Sequence, residues 1–353
     1  MIFAIFYFLF FYFLALMVFK KTVANYISKS NSEFTDITIV IAFKNEESNL
    51  FDLLFSLKNL SKQPREIIFV NDHSTDNSLA MLRHLLDTLK INNISILESK
   101  GLGKKAALSM GINSAKTTYI AVTDADCILP KFWLNNIDSH ILKYQPNLLF
   151  GLVDYIKNNH WVSMYQKIES RALINTGLGM FYQKKPIMCN GANMVFKKEF
   201  WQSIGGYSSH ESLASGDDIF LLHQFYQVAP NKVVFLNAEP VLTKAPNNVY
   251  TFLKQRKRWA SKTGHYIFWW ANFFPFLLLF NLIGMLSMVF YYCFNENYGC
   301  AVFILVLKIV SDYFIINCNQ QFNDKISIFG IFKMQIWQIL YPLFIPFVSN
   351  KWK

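Results

Sequence analysis

Charge is scarce in this chain. Only 16% of the 353 residues are charged, against 53% hydrophobic, with 35 Phe and 17 Tyr among them. Such a balance excludes an ordinary soluble domain throughout and requires that part of the chain sit in lipid. Cysteine patterning is missing as well. Cys127, Cys189, Cys293, Cys300 and Cys318 make no CxxC pair and no metal-ligand spacing, so they read as free thiols. His73, His160, His210 and His265 likewise show no spacing that suggests a metal site. The stretch GLGKK at 101–105 lacks both the four-residue gap before GK and the following Ser or Thr, which excludes a P-loop. Neither an internal repeat nor a low-complexity linker is present.

The apolar excess is concentrated at the two ends. Residues 1–19, MIFAIFYFLFFYFLALMVF, carry no charged side chain and are long enough for a membrane helix. No basic segment precedes this run and no small-x-small cleavage site follows it, so it reads as an anchor and not as a cleaved signal. Residues 267–294 and 299–316 are two further spans, the second with Lys308 and Asp312 inside it. Residues 327–349 hold Lys333, Gln335, Gln338 and two prolines, and read as an interfacial segment.

Lys20 and Lys21 follow the first span, and Lys254, Arg256, Lys257, Arg258 and Lys262 precede the second. Basic flanks stay on the cytoplasmic side, so the middle of the chain is expected in the cytoplasm, with Lys351 and Lys353 drawing the C-terminus there too. The formal net charge of +11 is accounted for by these flanks and their attraction to anionic lipid, and a nucleic-acid partner is not inferred from it.

Between the apolar ends, the runs at 37–43, 66–72, 94–99 and 119–126 read as buried strands separated by helical stretches such as 48–60 and 77–90. That alternation predicts an α/β fold with a parallel sheet covered by helices. Ligands bind such sheets beyond the carboxyl ends of the strands. Polar residues gather there: KNEESN after the first strand, NDHSTDNS after the second, SKGLGKK after the third and DADC after the fourth. On strand alternation Asp124 and Asp126 point the same way while Ala125 faces away. Two co-directed carboxylates are either solvated turn residues or a seat for Mg²⁺ or Mn²⁺ completed by phosphate oxygens and water. Asp217 and Asp218 in LASGDDIF are open between a helix cap and a carboxylate that accepts a proton from a hydroxyl. In KQRKRWASK, helical spacing puts Gln255, Arg258 and Trp259 on one face and turns Arg256 and Lys257 elsewhere, a pattern suited to a diphosphate and a stacked sugar.

These stretches, in this order over about residues 40–262, resemble the membrane-bound family 2 glycosyltransferases, whose catalytic domain has the GT-A fold. IAFKNEESNL looks like the first nucleotide-binding strand end, VNDHSTDNS like VDDGSTD, and GLGKKAAL like GKxxAL. DADC looks like DxD, GANMVFKKEFWQSIGGY like the acceptor-side segment, SGDD like the base motif and QRKRW like QxxRW. The resemblance implies an anchor at 1–20, a cytoplasmic GT-A domain at 21–265 and membrane or interfacial helices at 266–353. It implies that Glu46, Asp72, Lys104, Lys105 and Asn193 contact the nucleotide-sugar donor. Asp124 and Asp126 hold it through a divalent metal, Asp218 is the general base with Asp217 beside it, and Gln255, Arg258 and Trp259 line the diphosphate and acceptor site. Asn71 and His73 stand where the family often has Asp and Gly, so nucleotide preference does not carry over. The function implied is an inverting transferase of the bacterial inner membrane that adds one sugar to a lipid-linked or glycan acceptor. Its rivals are a small processive synthase and a silent scaffold of the same fold.

Overall fold

A computed structural model describes residues 1–24, 36–208 and 217–347. Ser215 and Gly216 of the SGDD stretch, His210, Lys351 and Lys353 lie outside the described residues. In chain order the helices and strands are α1 (Ile2–Ala24), β1 (Ile37–Phe43), α2 (Leu50–Lys58), β2 (Glu66–Asn71), α3 (Ser78–Leu89), β3 (Ile94–Glu98), α4 (Lys104–Ser114), β4 (Tyr119–Val122) and β5 (Cys127–Ile128). The chain continues through α5 (Trp133–Tyr144), β6 (Leu148–Tyr155), α6 (Trp161–Tyr182), β7 (Met194–Lys197), α7 (Lys198–Ser203), α8 (Asp217–Val228) and β8 (Val233–Thr243). It ends with α9 (Val249–Ala260), α10 (Trp269–Phe294), α11 (Tyr298–Asn317) and α12 (Ile328–Phe344).

By its internal contacts the chain divides into two units. One comprises Tyr26–Ile156 and Cys189–Lys244, the other Met1–Asn25, Lys157–Met188 and Ala245–Lys353. Residues 157–188, expected within the catalytic domain, therefore group with the terminal segments.

The first unit is built on one eight-stranded sheet of order β3-β2-β1-β4-β7-β6-β8-β5. The four strands expected from the sequence run parallel to one another, and β7 enters antiparallel between β4 and β6. Alternation along β1 explains why it is apolar at nearly every position. Ile37, Ile39, Ile41 and Phe43 pack into a core with Leu53 and Leu57 of α2, Leu82 of α3 and Trp133 and Ile137 of α5. Val40 turns to the opposite face, where α4 crosses it. That crossing is close enough to require Gly111, because a Cβ there would meet Val40 Cγ1 at 2.6 Å. Burial on both faces is what makes a parallel strand read as a continuous hydrophobic run. The fourth strand is shorter than expected: it stops at Val122, and Asp124 and Asp126 occupy the turn before β5. Strand alternation therefore does not set their directions, and each side chain takes its own partner, Lys104 for Asp124 and Thr243 for Asp126.

Against β8, strand β6 slips register between Gly151 and Val153, where Leu152 alone faces four residues of β8, 237–240. The Asn193 side chain repairs it, with Nδ2 donating to the Leu152 carbonyl at 2.8 Å while Oδ1 accepts from the buried Trp133 indole at 3.0 Å.

In the second unit, α1 (over Ile2–Val23), α10 and α11 are long and apolar enough to cross a membrane. Ala4, Met285 and Ile304 bring α1, α10 and α11 into one small core. Lys308 and Asp312 bond each other at 2.8 Å, one turn apart on α11. Lys308 also donates to Gln335 and Gln338 of α12, and Tyr7 of α1 donates to Asp312 at 2.8 Å. Charges that would be costly in hydrocarbon are thereby paired and hydrogen-bonded inside the helix group. The 17-residue α12 is held by this network and begins at Ser327, whose hydroxyl caps Gly330 N at 3.1 Å.

Candidate active site

The carboxyl ends of β1, β2, β3 and β4 bring four of the polar segments together. β2 ends at Asn71, whose amide bonds Glu98 of β3 at 2.8 Å and whose Oδ1 accepts from Ser74 N at 3.1 Å. This fixes the NDHST turn and buries the next residue, Asp72, to 5% exposure. Asp72 Oδ1 accepts the Gly103 amide at 2.9 Å. Gly103, at φ +91°, is the last residue before α4 and holds a backbone angle that L side chains rarely adopt. The Asp72 carboxylate thus pins the glycine loop, and α4 starts with Lys104 aimed across the rim.

Lys104 Nζ reaches Asp124 Oδ1 at 2.5 Å, with both side chains about a third or more exposed. Asp126 is oriented from the far side, where Thr243 Oγ1 at the end of β8 donates to its Oδ2 at 3.1 Å. Between them Ala125 is 3% exposed and belongs to the core, so the two acids flank a buried anchor. Burial, reinforced by the charge of Asp124, raises the Asp126 carboxyl above the ordinary aspartate value. Glu46, after β1, is raised too, by burial first and by the charges of Asp126, Asp124 and Asp76, while a 2.6 Å bond from Asn49 Nδ2 opposes the shift. Three carboxylates on one rim therefore repel one another, with Lys104 as a counter-charge.

Among the described residues no three His, Cys, Asp or Glu side chains are grouped closely enough to hold a metal ion. The chemistry of the rim nonetheless suits a hard cation. Asp124 and Asp126 offer oxygen ligands in a crowded negative site, and Mg²⁺ or Mn²⁺ commonly takes one or two carboxylates and completes its shell with phosphate and water.

Other expected site residues fall in different settings. Lys105 follows Lys104 on α4 and is half-buried. Asp217 and Asp218 open α8; Asp218 is half-buried, its Oδ1 accepts from Ile219 N at 2.8 Å and its carbonyl accepts from the Cys189 thiol at 3.3 Å. Asn193, expected to contact the donor, is 1% exposed, and both ends of its amide are committed to Trp133 and Leu152.

Gln255, Arg258 and Trp259 lie in the second unit, on α9, which begins where Asn248 caps Thr251 N at 2.9 Å. Arg258 is exposed. Arg256, expected to point elsewhere, is instead 4% exposed and stacked over both Trp259 and Phe252, at 4.3 and 4.4 Å. The spacing of Phe252, Gln255, Arg256 and Trp259, i, i+3, i+4 and i+7, is the signal that could have revealed this. Helix α9 thus carries one buried and one exposed arginine two positions apart.

Residues 38–204 match the family model described as Glycosyl transferase family 2. A poly-beta-1,6-N-acetyl-D-glucosamine synthase of Staphylococcus aureus is 29% identical over 120 residues, covering 33% of this chain and 27% of that protein. The match thus spans about a quarter of that relative's length. Glycosyltransferase GlyG of Streptococcus pneumoniae is 24% identical over 212 residues, 57% of this chain and 68% of that one. In three dimensions the mannosyltransferase PcManGT from Pyrobaculum calidifontis, solved with GDP-Man and Mn²⁺, superposes with a TM-score of 0.55 at 14% identity. That superposition covers 95% of this chain and 98% of the other and shows a shared fold.

Proposed function

We propose that this chain is a family 2 glycosyltransferase, as the match of residues 38–204 to that family model supports, and that it transfers a single sugar from a nucleotide-sugar donor to a lipid-linked or glycan acceptor at a membrane. The observation that carries the donor half of this reading is the tie from Asp72 to Gly103 and from Lys104 to Asp124, which gathers three strand ends around one acidic rim. Glu46, Asp72, Lys104 and Lys105 are the proposed donor contacts, and Asp124 and Asp126 the proposed ligands of a divalent metal. When bound, such an ion supplies charge neutralisation for the departing nucleoside diphosphate.

The chain's own groups account for the remaining steps. Asp218 takes the proton of the acceptor hydroxyl as that oxygen attacks the anomeric carbon, with Asp217 beside it. Attack from the face opposite the leaving group inverts the configuration. Arg258, the exposed arginine of α9, is the proposed partner of the diphosphate, and Gln255 and Trp259 serve the diphosphate and acceptor. Three apolar helices support attachment to a membrane, and the basic flanks support a cytoplasmic catalytic unit at a bacterial inner membrane.

A second reading, a small processive synthase, is favoured by the likeness to a poly-N-acetylglucosamine synthase. Purified full-length protein in lipid vesicles, screened against UDP-, GDP- and dTDP-sugars with and without Mn²⁺, tests both. One sugar per acceptor is expected; a ladder of polymer lengths would establish the rival, and no consumption of any donor would overturn the enzyme reading for this chain.

A further inference from the structure

The α9 helix is braced by a closed set of polar and aromatic contacts within its own unit. Arg256 Nε donates to Glu169 Oε2 of α6 at 2.9 Å, and Nη2 binds the same oxygen. Arg256 Nη1 donates to Gln255 Oε1 at 2.8 Å, an oxygen that also accepts from Gln166 Nε2 of α6 at 2.9 Å. The other Glu169 oxygen accepts from the Tyr341 hydroxyl of α12 at 2.7 Å. Phe252 and Trp259 stack on the guanidinium.

A planar fork of donors pinned by a carboxylate, and lying against two rings, has little freedom left, so the groups it touches are fixed as well. Those groups are Gln255 and Trp259, two of the three residues assigned above to the diphosphate and acceptor. Arg258, on the other side of the helix and exposed, is left to bind. A loss of about one ångström in the placement of such groups can cost about a hundredfold in rate. We propose that Arg256 is a positioning residue which, through Glu169 and Tyr341, sets Gln255 and Trp259 for transfer and makes the apolar helix α12 part of the reaction machinery.

This rests on the proposed roles of Gln255, Arg258 and Trp259, and the test separates the two. In full-length protein in detergent, Arg256→Met, Arg256→Lys and Tyr341→Phe are compared with Lys254→Met, a control that removes a cation from the same helix. Two measurements are made. Hydrogen exchange over 249–260 should rise severalfold in the three test variants and stay at the wild-type level in the control. With the donor that wild type consumes from the sugar-nucleotide panel, kcat per UDP- or GDP-binding site should fall about tenfold for Arg256→Met and about threefold for Tyr341→Phe, with donor KM within twofold. Arg256→Lys should fall between wild type and Arg256→Met. A merely structural role would lower the number of binding sites and leave kcat per site unchanged. If Arg256→Met does not fold, Tyr341→Phe, which loses one hydroxyl, decides alone. Wild-type exchange, or wild-type kcat per site alongside an inactive Arg258→Ala, overturns the positioning role. Full turnover by Arg258→Ala overturns the motif assignment beneath it.

Discussion

Asn193 offers a sharp test, because a donor contact and a buried structural amide fail in different ways when truncated. In Asn193→Ala the Trp133 indole N–H loses its acceptor at 3.0 Å, and the Leu152 carbonyl, at the register shift between β6 and β8, loses its donor at 2.8 Å. Trp133 is fully buried and Leu152 is 1% exposed, so water does not reach either group without rearrangement. Stranding a buried polar group costs about 1–3 kcal/mol. Two of them put the loss at about 2–6 kcal/mol, or roughly 4–24 °C in the melting temperature of a unit this size. Nearby Gly151 sharpens the argument, since a Cβ there would collide with Asn193 Nδ2, so Gly151→Ala should unseat the same amide. Thermal unfolding of the full-length variants in detergent, followed by tryptophan fluorescence, measures the effect, with donor KM determined on the protein that stays folded. An unchanged melting temperature with a donor KM raised tenfold or more would refute the structural assignment and restore Asn193 to the donor site.

Lys104→Met should tighten Mn²⁺ binding by about threefold, read by calorimetry without nucleotide, because the cation competing for Asp124 is gone and an exposed pair is worth about 0.2–1 kcal/mol; weaker binding would show that Lys104 does not compete there. Asp218→Asn should lower kcat by about 10²–10⁴ while nucleotide affinity stays within a few fold, and full turnover would remove Asp218 from the base role. Asp138, buried in α5 beside Lys62, is pushed up to about 6 by its burial, which outweighs that pairing. Because its folded value lies above its unfolded one, its contribution to stability is present below about pH 4 and is lost as pH rises through 6. Melting curves from pH 4 to 7 should therefore show a downward slope that Asp138→Asn reduces, and an equal slope in both proteins would contradict this.

The first half of the sheet was legible because β1, β2 and β4 are buried on both faces and so are written almost wholly in apolar residues, whereas β3, expected to be buried as well, is the edge strand and is only partly covered, with Ser95 and Glu98 exposed. The second half was not. Its strands include an antiparallel insertion and a bulge, and LLFGLVDY carries a glycine and a buried Asp154 that break the apolar run. At the rim, residue types and their order were readable, and Asp72, Lys104, Asp124 and Asp126 do lie on it. Pairing was not: nothing in the spacing of 104 and 124 announces a 2.5 Å contact. Helix α9 was placed correctly and its faces were assigned wrongly, since reading from Gln255 to Trp259 omits Phe252, one turn earlier, which completes the stripe that includes Arg256. Asn193 followed its motif to the right neighbourhood, but local sequence does not tell which groups a bulge leaves unpaired.

Helix α6 sits between β6 and β7 in the chain yet packs with segments that come from both ends, and this constrains how the protein can be divided. A version trimmed to residues 36–265 would keep α6 while discarding α11, which supplies the carbonyl acceptors of Asn175, and Asp324, which pairs with Lys167 and Arg171. Those three polar side chains would lose their partners, and the face of α6 around Leu178 and Met180 would lose the cover of α1 and α11, so the trimmed protein should need detergent even with every recognised span removed. Shortening this chain for study in water calls for replacing residues 157–188 together with the ends.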